Sequence, residues 1–231
     1  MPTSHHQSPI QKLFLLVTIL SLVLIISPAT PVLGDDGAAY PLTSENRPAN
    51  VMVFPTLAEF RQSVRNGVAN QLSGIYANDL MAYPIVNQPG DQYTYVSDKS
   101  NEVTQFELAS QYNTIGLLAH NELAGAAFFA LEPSNNLTLV YGDGSTRVYQ
   151  VTQLLSYQAL TPDSPYSSFV DLSDPTHTLS VEQVFYKIYA AGNPLVLQTC
   201  ITRAGNPNWG RLFVIAYPVA KAYHRGTSFM H

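Results

Sequence analysis

The chain has 231 residues, of which 46% are hydrophobic and 12% charged, enough for one domain with a proper core and too apolar for a disordered segment. Its net charge of −5 and the lack of any Lys/Arg cluster exclude the basic surface that nucleic acid demands. Its single cysteine excludes an internal disulfide framework, and its fourteen Tyr and ten Phe favour strands.

Leu13 to Ile26 is a short apolar run preceded by Lys12 and followed by Ser27-Pro28. Crossing a bilayer core takes about 20 apolar residues, so the run reads as a signal segment. Val32 and Gly34 offer small residues for cleavage after Gly34, giving a signal peptide over 1–34; an uncleaved anchor is the alternative. Either way the remainder is expected outside the cytoplasm, secreted or held at the cell surface.

Residues 35–78 read as a linker followed by an amphipathic helix. Thr56 and Glu59 form a capping box, and Leu57, Phe60, Val64, Val68 and Leu72 follow at helical spacing. From 79 the pattern turns strand-like, and residues 79–218 form the expected barrel, with 219–231 a tail. Pro84 to Val86 leads into a turn at Gln88 to Asp91, and Tyr93 to Val96 is a short strand. Thr114 to Leu118 is a strand ending at Ala119-His120-Asn121, and Gly125 to Leu131 reads as the next buried strand. Leu137 to Tyr141 and Arg147 to Leu154 alternate on either side of Gly142-Asp143-Gly144, as a hairpin does. That Gly-Asp-Gly lacks the Lys-Ser/Thr and the following helix of a phosphate loop.

Residues 157–179 form a long segment with three prolines. Ser180 and Gln183 cap a second helix, with Val181, Val184, Phe185, Ile188 and Tyr189 at helical spacing up to Gly192. Leu195 to Cys200 is a strand, Gly205 to Gly210 a loop, and Arg211 to Tyr217 the last strand. Many short strands with turn signals point to a mainly β fold, a closed or nearly closed barrel with peripheral helices.

Three residues stand where apolar strands end or begin: His120, Cys200 and Arg211. Each has a structural reading: a bonded histidine, a small buried thiol, an ion-pair partner. Together they suggest chemistry. A thiol attacks as thiolate and needs a cationic neighbour to ionise near neutrality. Histidine can be that neighbour and then pass its proton to a leaving amine. A guanidinium keeps its charge and can donate to a developing oxyanion.

The segment Thr114-Ile-Gly-Leu-Leu-Ala-His120-Asn121 with Gly125 to Phe129, the motif Leu197-Gln198-Thr199-Cys200, and Trp209-Gly210-Arg211-Leu212 resemble, in that order, the histidine, cysteine and arginine motifs of the sortases. The resemblance covers roughly residues 80–218; where the family usually has Gly before the histidine, this chain has Ala119. It implies an eight-stranded sortase-like β-barrel and an exported cysteine transpeptidase acting on a carboxy-terminal sorting signal of the LPXTG type. Cys200 would be the nucleophile, His120 the general acid/base and Arg211 the oxyanion or substrate donor, with Thr199 and Asn121 as substrate contacts. The partners would be surface proteins bearing the sorting motif and an amine from cell-wall peptide or a pilin. No metal or other cofactor is expected. The helix ahead of the cysteine strand is similar to class B-like members.

Two other readings stay open. One is a cysteine hydrolase or L,D-transpeptidase-like enzyme on cell-wall peptides, although those transpeptidases carry Ser-x-Gly-Cys-Arg where this chain has Thr199 and Ile201 beside the thiol. The other is a catalytically silent barrel serving as a surface module.

Overall fold

A computed structural model describes residues 54–90, 92–164, 166–192 and 194–220. The amino-terminal signal segment, most of the linker, and all but two residues of the carboxy-terminal tail lie outside them. The described residues form ten strands: β1 (Leu72–Ala77), β2 (Met81–Asn87), β3 (Val103–Phe106), β4 (Ile115–Leu118), β5 (Asn136–Tyr141), β6 (Thr146–Ala159), β7 (Phe169–Asp171), β8 (Thr178–Leu179), β9 (Leu195–Arg203) and β10 (Asn206–Pro218). Their order is β10-β9-β4-β3-β2-β1-β5-β6-β7-β8, and β10 pairs again with β6. That second pairing closes a ring of eight strands, from β10 round to β6, and leaves β7 and β8 as a flap on β6. The fold is a mainly β, closed eight-stranded barrel with short helices. Closure removes the free edges that an open sheet would present. Two of the pairings, β2 with β3 and β4 with β9, are parallel.

Alternation along the strands divides the apolar residues into two cores. Leu117, Leu195, Leu197, Leu212, Val214 and Ala216 point into the barrel with Ile75, Met81, Leu137 and Leu139. Leu118, Val196, Phe213 and Ile215 face outward, against α3 (Val181–Phe185) and the π-helical turn Tyr186–Ala190 that continues it. With both faces covered, β9 is buried from Leu195 through Cys200, hence its unbroken apolar start. A smaller cluster seats Phe60 of α1 (Leu57–Ser63) on Tyr76 and Val140. α2 (Glu107–Ser110) is a single turn after β3.

The capping boxes at Thr56/Glu59 and Ser180/Gln183 are both formed. Elsewhere the elements differ from the sequence reading for identifiable reasons. The first helix ends at Ser63 because Leu72 opens β1; helical spacing of apolar residues continued by chance across Asn66-Gly67, where Gly67 has a φ of 83°. Tyr93 to Val96 is turn and extended chain, not strand. Ala124–Ala130 is a 3-10 helix that brings Ala124 and Phe128 onto the barrel core, so this buried segment is helical. Residues 157–179 include the end of β6 and all of β7 and β8. The expected loop at 205–210 is mostly strand: β9 and β10 meet in a tight hairpin at Ala204 (φ 50°) and Gly205 (φ 79°). Two consecutive positive φ values suit a two-residue hairpin turn, usually signalled by Asn-Gly or Asp-Gly.

Leu197 is fully buried in the inner core. Leu197→Ala should cost about 2–5 kcal/mol in chemical denaturation, whereas Val148→Ala, at a position 37% exposed, should stay within about 0.5 kcal/mol. Equal effects would contradict the inward assignment.

Candidate active site

Strand register sets Cys200 beside Arg211 and brings the end of β4, just before His120, alongside β9. Cys200 on β9 is the direct cross-strand partner of Arg211 on β10. On the other side of β9, Leu118 of β4 pairs in parallel with Gln198, and the Ala119 N–H donates to the Gln198 carbonyl at 3.2 Å. His120 therefore stands two residues beyond one member of a registered pair and Cys200 two beyond the other. Neighbouring strands run about 4.8 Å apart, so thiol and guanidinium stand on adjacent strands, and His120 follows the end of β4 on the other side of β9.

Their location differs from the sequence expectation in one respect. Cys200 and Arg211 lie inside their strands rather than at the ends. They share the parity of the outward-facing Val196, Phe213 and Ile215, so the row stands on the outer wall of the barrel near one end. The register extends the row further: Tyr157 of β6 opposes Arg211, and Asp171 of β7 opposes Tyr157. The Asp171 carboxylate accepts from Lys187 Nζ at 3.1 Å, and that ammonium lies 5.4 Å from the centre of the Tyr157 ring.

Cys200 is 7% exposed and Arg211 2%. Arg211 Nη1 donates to the Asn208 carbonyl at 3.0 Å and to the Gly210 carbonyl at 2.8 Å, which fixes the guanidinium against the strand. Beneath the thiol on the same face is Gln198, whose side-chain oxygen accepts from the Tyr189 hydroxyl at 2.6 Å. Burial pushes the Cys200 thiol up from its ordinary pKa, and the Arg211 charge draws it partly back. Burial also holds His120 below its ordinary value, against the Val96 carbonyl and the Asp98 and Glu122 charges, which favour the imidazolium. His120 Nδ1 is buried without a hydrogen-bond partner among the described residues. Burial thus favours the uncharged form of each group, with the Arg211 cation beside the thiol.

Thr199 and Asn121 both make hydrogen bonds within the protein. Adjacent residues on a strand face opposite ways, so Thr199 points inward when Cys200 points outward. Its hydroxyl donates to the Ala119 carbonyl at 2.8 Å and is 2% exposed. It ties the cysteine strand to the histidine segment rather than presenting itself to a ligand. Gly125 packs against this tie: a Cβ there would collide with the Thr199 hydroxyl and come within 2.6 Å of the His120 carbonyl. Asn121 Nδ2 donates to the Thr202 hydroxyl at 2.7 Å, clasping the histidine loop to the end of β9. Tyr157, Gln198 and the 96–98 segment were not singled out from sequence. Only the strand pairings bring them here, though Gln198 lies within the Leu-x-Thr-Cys motif itself. Among the described residues no group of three or more His, Cys, Asp or Glu is placed to hold a metal ion.

No protein-family model matches the chain, and no curated protein does. Solved structures that it resembles in fold are sortases of the A and C types. Sortase A from Corynebacterium diphtheriae is 15% identical with a TM-score of 0.42, over 67% of this chain and 63% of that one. Sortase C1 of group B Streptococcus pilus island 1 is 16% identical with a TM-score of 0.43, over 66% and 67%. Sortase C-1 from Actinomyces oris is 12% identical with a TM-score of 0.41, over 73% and 83%. The match to the first of these spans less than two thirds of that protein's length.

A thiol held above its usual pKa reacts slowly near neutrality and faster as base is added. The alkylation rate of Cys200 with iodoacetamide should keep rising through about pH 9, read by mass spectrometry of the intact protein. A plateau reached below neutrality would mean a thiolate already formed, contrary to the burial seen here.

Proposed function

We propose that this protein is an exported cysteine transpeptidase of the sortase kind, which cuts a sorting signal in a substrate protein and joins the new carboxyl end to an amine. The observation that carries this reading is the cross-strand pairing of Cys200 with Arg211, with His120 two residues past the end of the strand that pairs with β9 on its other side. The motifs supply the same three residues in the order that the resemblance implies.

In the proposed reaction the Cys200 thiol gives its proton to His120, and the thiolate attacks the carbonyl carbon of the scissile peptide bond. A carbon–sulfur bond forms, and negative charge gathers on the carbonyl oxygen. Arg211 faces that charge as a donor that cannot deprotonate, already held by two backbone carbonyls and needing little reorganisation. The carbon–nitrogen bond then breaks, and the imidazolium protonates the departing amine. In the second half an incoming amine gives its proton to His120 and attacks the thioester, and the sulfur leaves as thiolate. The acceptor would be an amine of a cell-wall peptide or a pilin lysine, and the substrate a surface protein with an LPXTG-like signal.

Export rests on the apolar segment at Leu13 to Ile26. Among the described residues no helix is long and apolar enough to cross a membrane.

Incubation of the protein with a library of sorting peptides, with and without added amine, should give a thioacyl adduct on Cys200 and an amine-dependent ligation product. Cys200→Ala should abolish both. Arg211→Lys, which keeps the charge and loses the planar fork, should lower turnover by about a hundredfold, with circular dichroism reporting the fold. Undiminished turnover in Cys200→Ala would end the proposal, and products of hydrolysis alone, whatever amine is added, would replace transfer with cleavage.

A further inference from the structure

The two ends of the barrel differ. The end near Cys200 is filled by the 3-10 helix Ala124–Ala130, which inserts Ala124 and Phe128 into the inner core. The opposite end opens into a cavity of about 600 Å³, within the size range of small-molecule sites. Its apolar wall is Leu72, Ile115 and Tyr141; Leu72 and Tyr141 are cross-strand partners, and Ile115 and Tyr141 pack on the inner core.

The rest of the lining is dominated by carboxamides. Asn87 and Gln105 are registered partners on β2 and β3, two residues beyond the inward pair Ile85 and Val103, so both sit on the barrel's inner side at its mouth. Asn70 and Gln71 reach the same cavity from the segment before β1. Gln88 braces the wall: its Nε2 donates to the Tyr93 and Tyr95 carbonyls at 2.9 and 3.1 Å, and its Oε1 accepts from the Glu107 N–H at 3.1 Å. The side chains of Asn70, Asn87 and Gln105 make no hydrogen bond to other described residues. Among the described residues of the lining, Glu107 is the one charged side chain, and neither Lys nor Arg contributes.

We propose that this cavity is a second binding site, for a short neutral oligosaccharide. Each carboxamide offers a donor and an acceptor side by side, which suits vicinal hydroxyls, and Tyr141 in the wall supplies an aromatic ring of the kind that packs on the apolar side of a pyranose. Without a cation the lining has nothing to hold phosphate, sulfate or a uronate. Because the barrel is closed, no strand edge is available at this mouth for an extended peptide to pair with. The site is separate from Cys200. Leu195 pairs with Ile115 at the cavity end, and the five residues from there to Cys200 span about 16 Å, with the thiol on the outer wall. The proposal does not rest on the transpeptidase reading.

Isothermal titration of the full chain with maltotriose, cellotriose and N,N′,N″-triacetylchitotriose tests it. At least one should bind saturably with a Kd below about 1 mM and shift the side-chain NH₂ resonances of Asn87 and Gln105 in wild-type NMR spectra. The double variant Asn87→Ala/Gln105→Ala should weaken that binding by about tenfold or more. Cys200→Ala should bind as wild type does, so that loss of the thiol chemistry and loss of this site are read separately. Absence of saturation with all three sugars, shifts that map elsewhere, or tighter binding of a capped neutral peptide that displaces the sugar would overturn it.

Discussion

The position of β9 decides the rest of the molecule. It runs parallel to β4 on one side and antiparallel to β10 on the other, and its two hydrogen-bond ladders fix where Cys200 stands relative to His120 and Arg211. The ladders are themselves pinned by packing. Leu195 and Leu197 point into the barrel opposite Leu212, Val214 and Ala216, and each buried leucine contributes about 1.5–3 kcal/mol. A slip of one residue would turn Gln198 and Cys200 inward and carry the leucines outward. The same apolar residues that hold the barrel together therefore set the thiol beside the guanidinium. Core stability and site geometry are one constraint.

Burial at this site opposes reactivity as well as serving it. The outer wall below Cys200 is a layer of Leu118, Gln198 and Phe213, roofed by α3 and the π turn. This low-polarity setting raises the thiol and lowers the imidazole, favouring the uncharged form of each. It also strengthens whatever charge the neighbouring guanidinium can meet. Arg211 is held by backbone carbonyls that stay in place as the strands do. The contrast with Lys187 and Asp171 is instructive: that lysine is about half exposed, and such a pair contributes little to orientation. In the proposed reaction, a fixed charge in a dry setting would suit an intermediate whose negative charge appears only in passing.

Much of the barrel was legible because alternation and turn chemistry are local signals. The hairpin of β5 and β6, the two capping boxes and the strands at Ile115 and Leu195 follow from residue spacing. What escaped depended on contacts distant in sequence. Gly125 to Leu131 carries no period that distinguishes a strand from a 3-10 helix, and only the barrel end it plugs makes it helical. The Ala204-Gly205 turn hid because alanine rarely takes positive φ. Motif order nominated His120, Cys200 and Arg211 without saying which wall of the barrel Cys200 and Arg211 occupy. Tyr157 and Asp171 joined the row solely through β6 and β7 pairing, which no short window of sequence contains.

Thr199 shows how a residue beside the thiol can serve the packing of the strand. It neighbours Cys200 in sequence, and on a strand that adjacency sends it to the opposite face. There its hydroxyl bonds the Ala119 carbonyl, one residue before His120, and the absent side chain of Gly125 leaves room for the contact. Serine could make the same hydrogen bond but would leave a methyl-sized gap in the inner packing. Valine would fill the gap and leave the carbonyl unpaired, which costs about 1–3 kcal/mol for a buried acceptor. Threonine satisfies both demands. The division of labour follows the pleat: inward residues of β9 set the spacing between the histidine and cysteine segments, and outward residues carry the groups that spacing brings together.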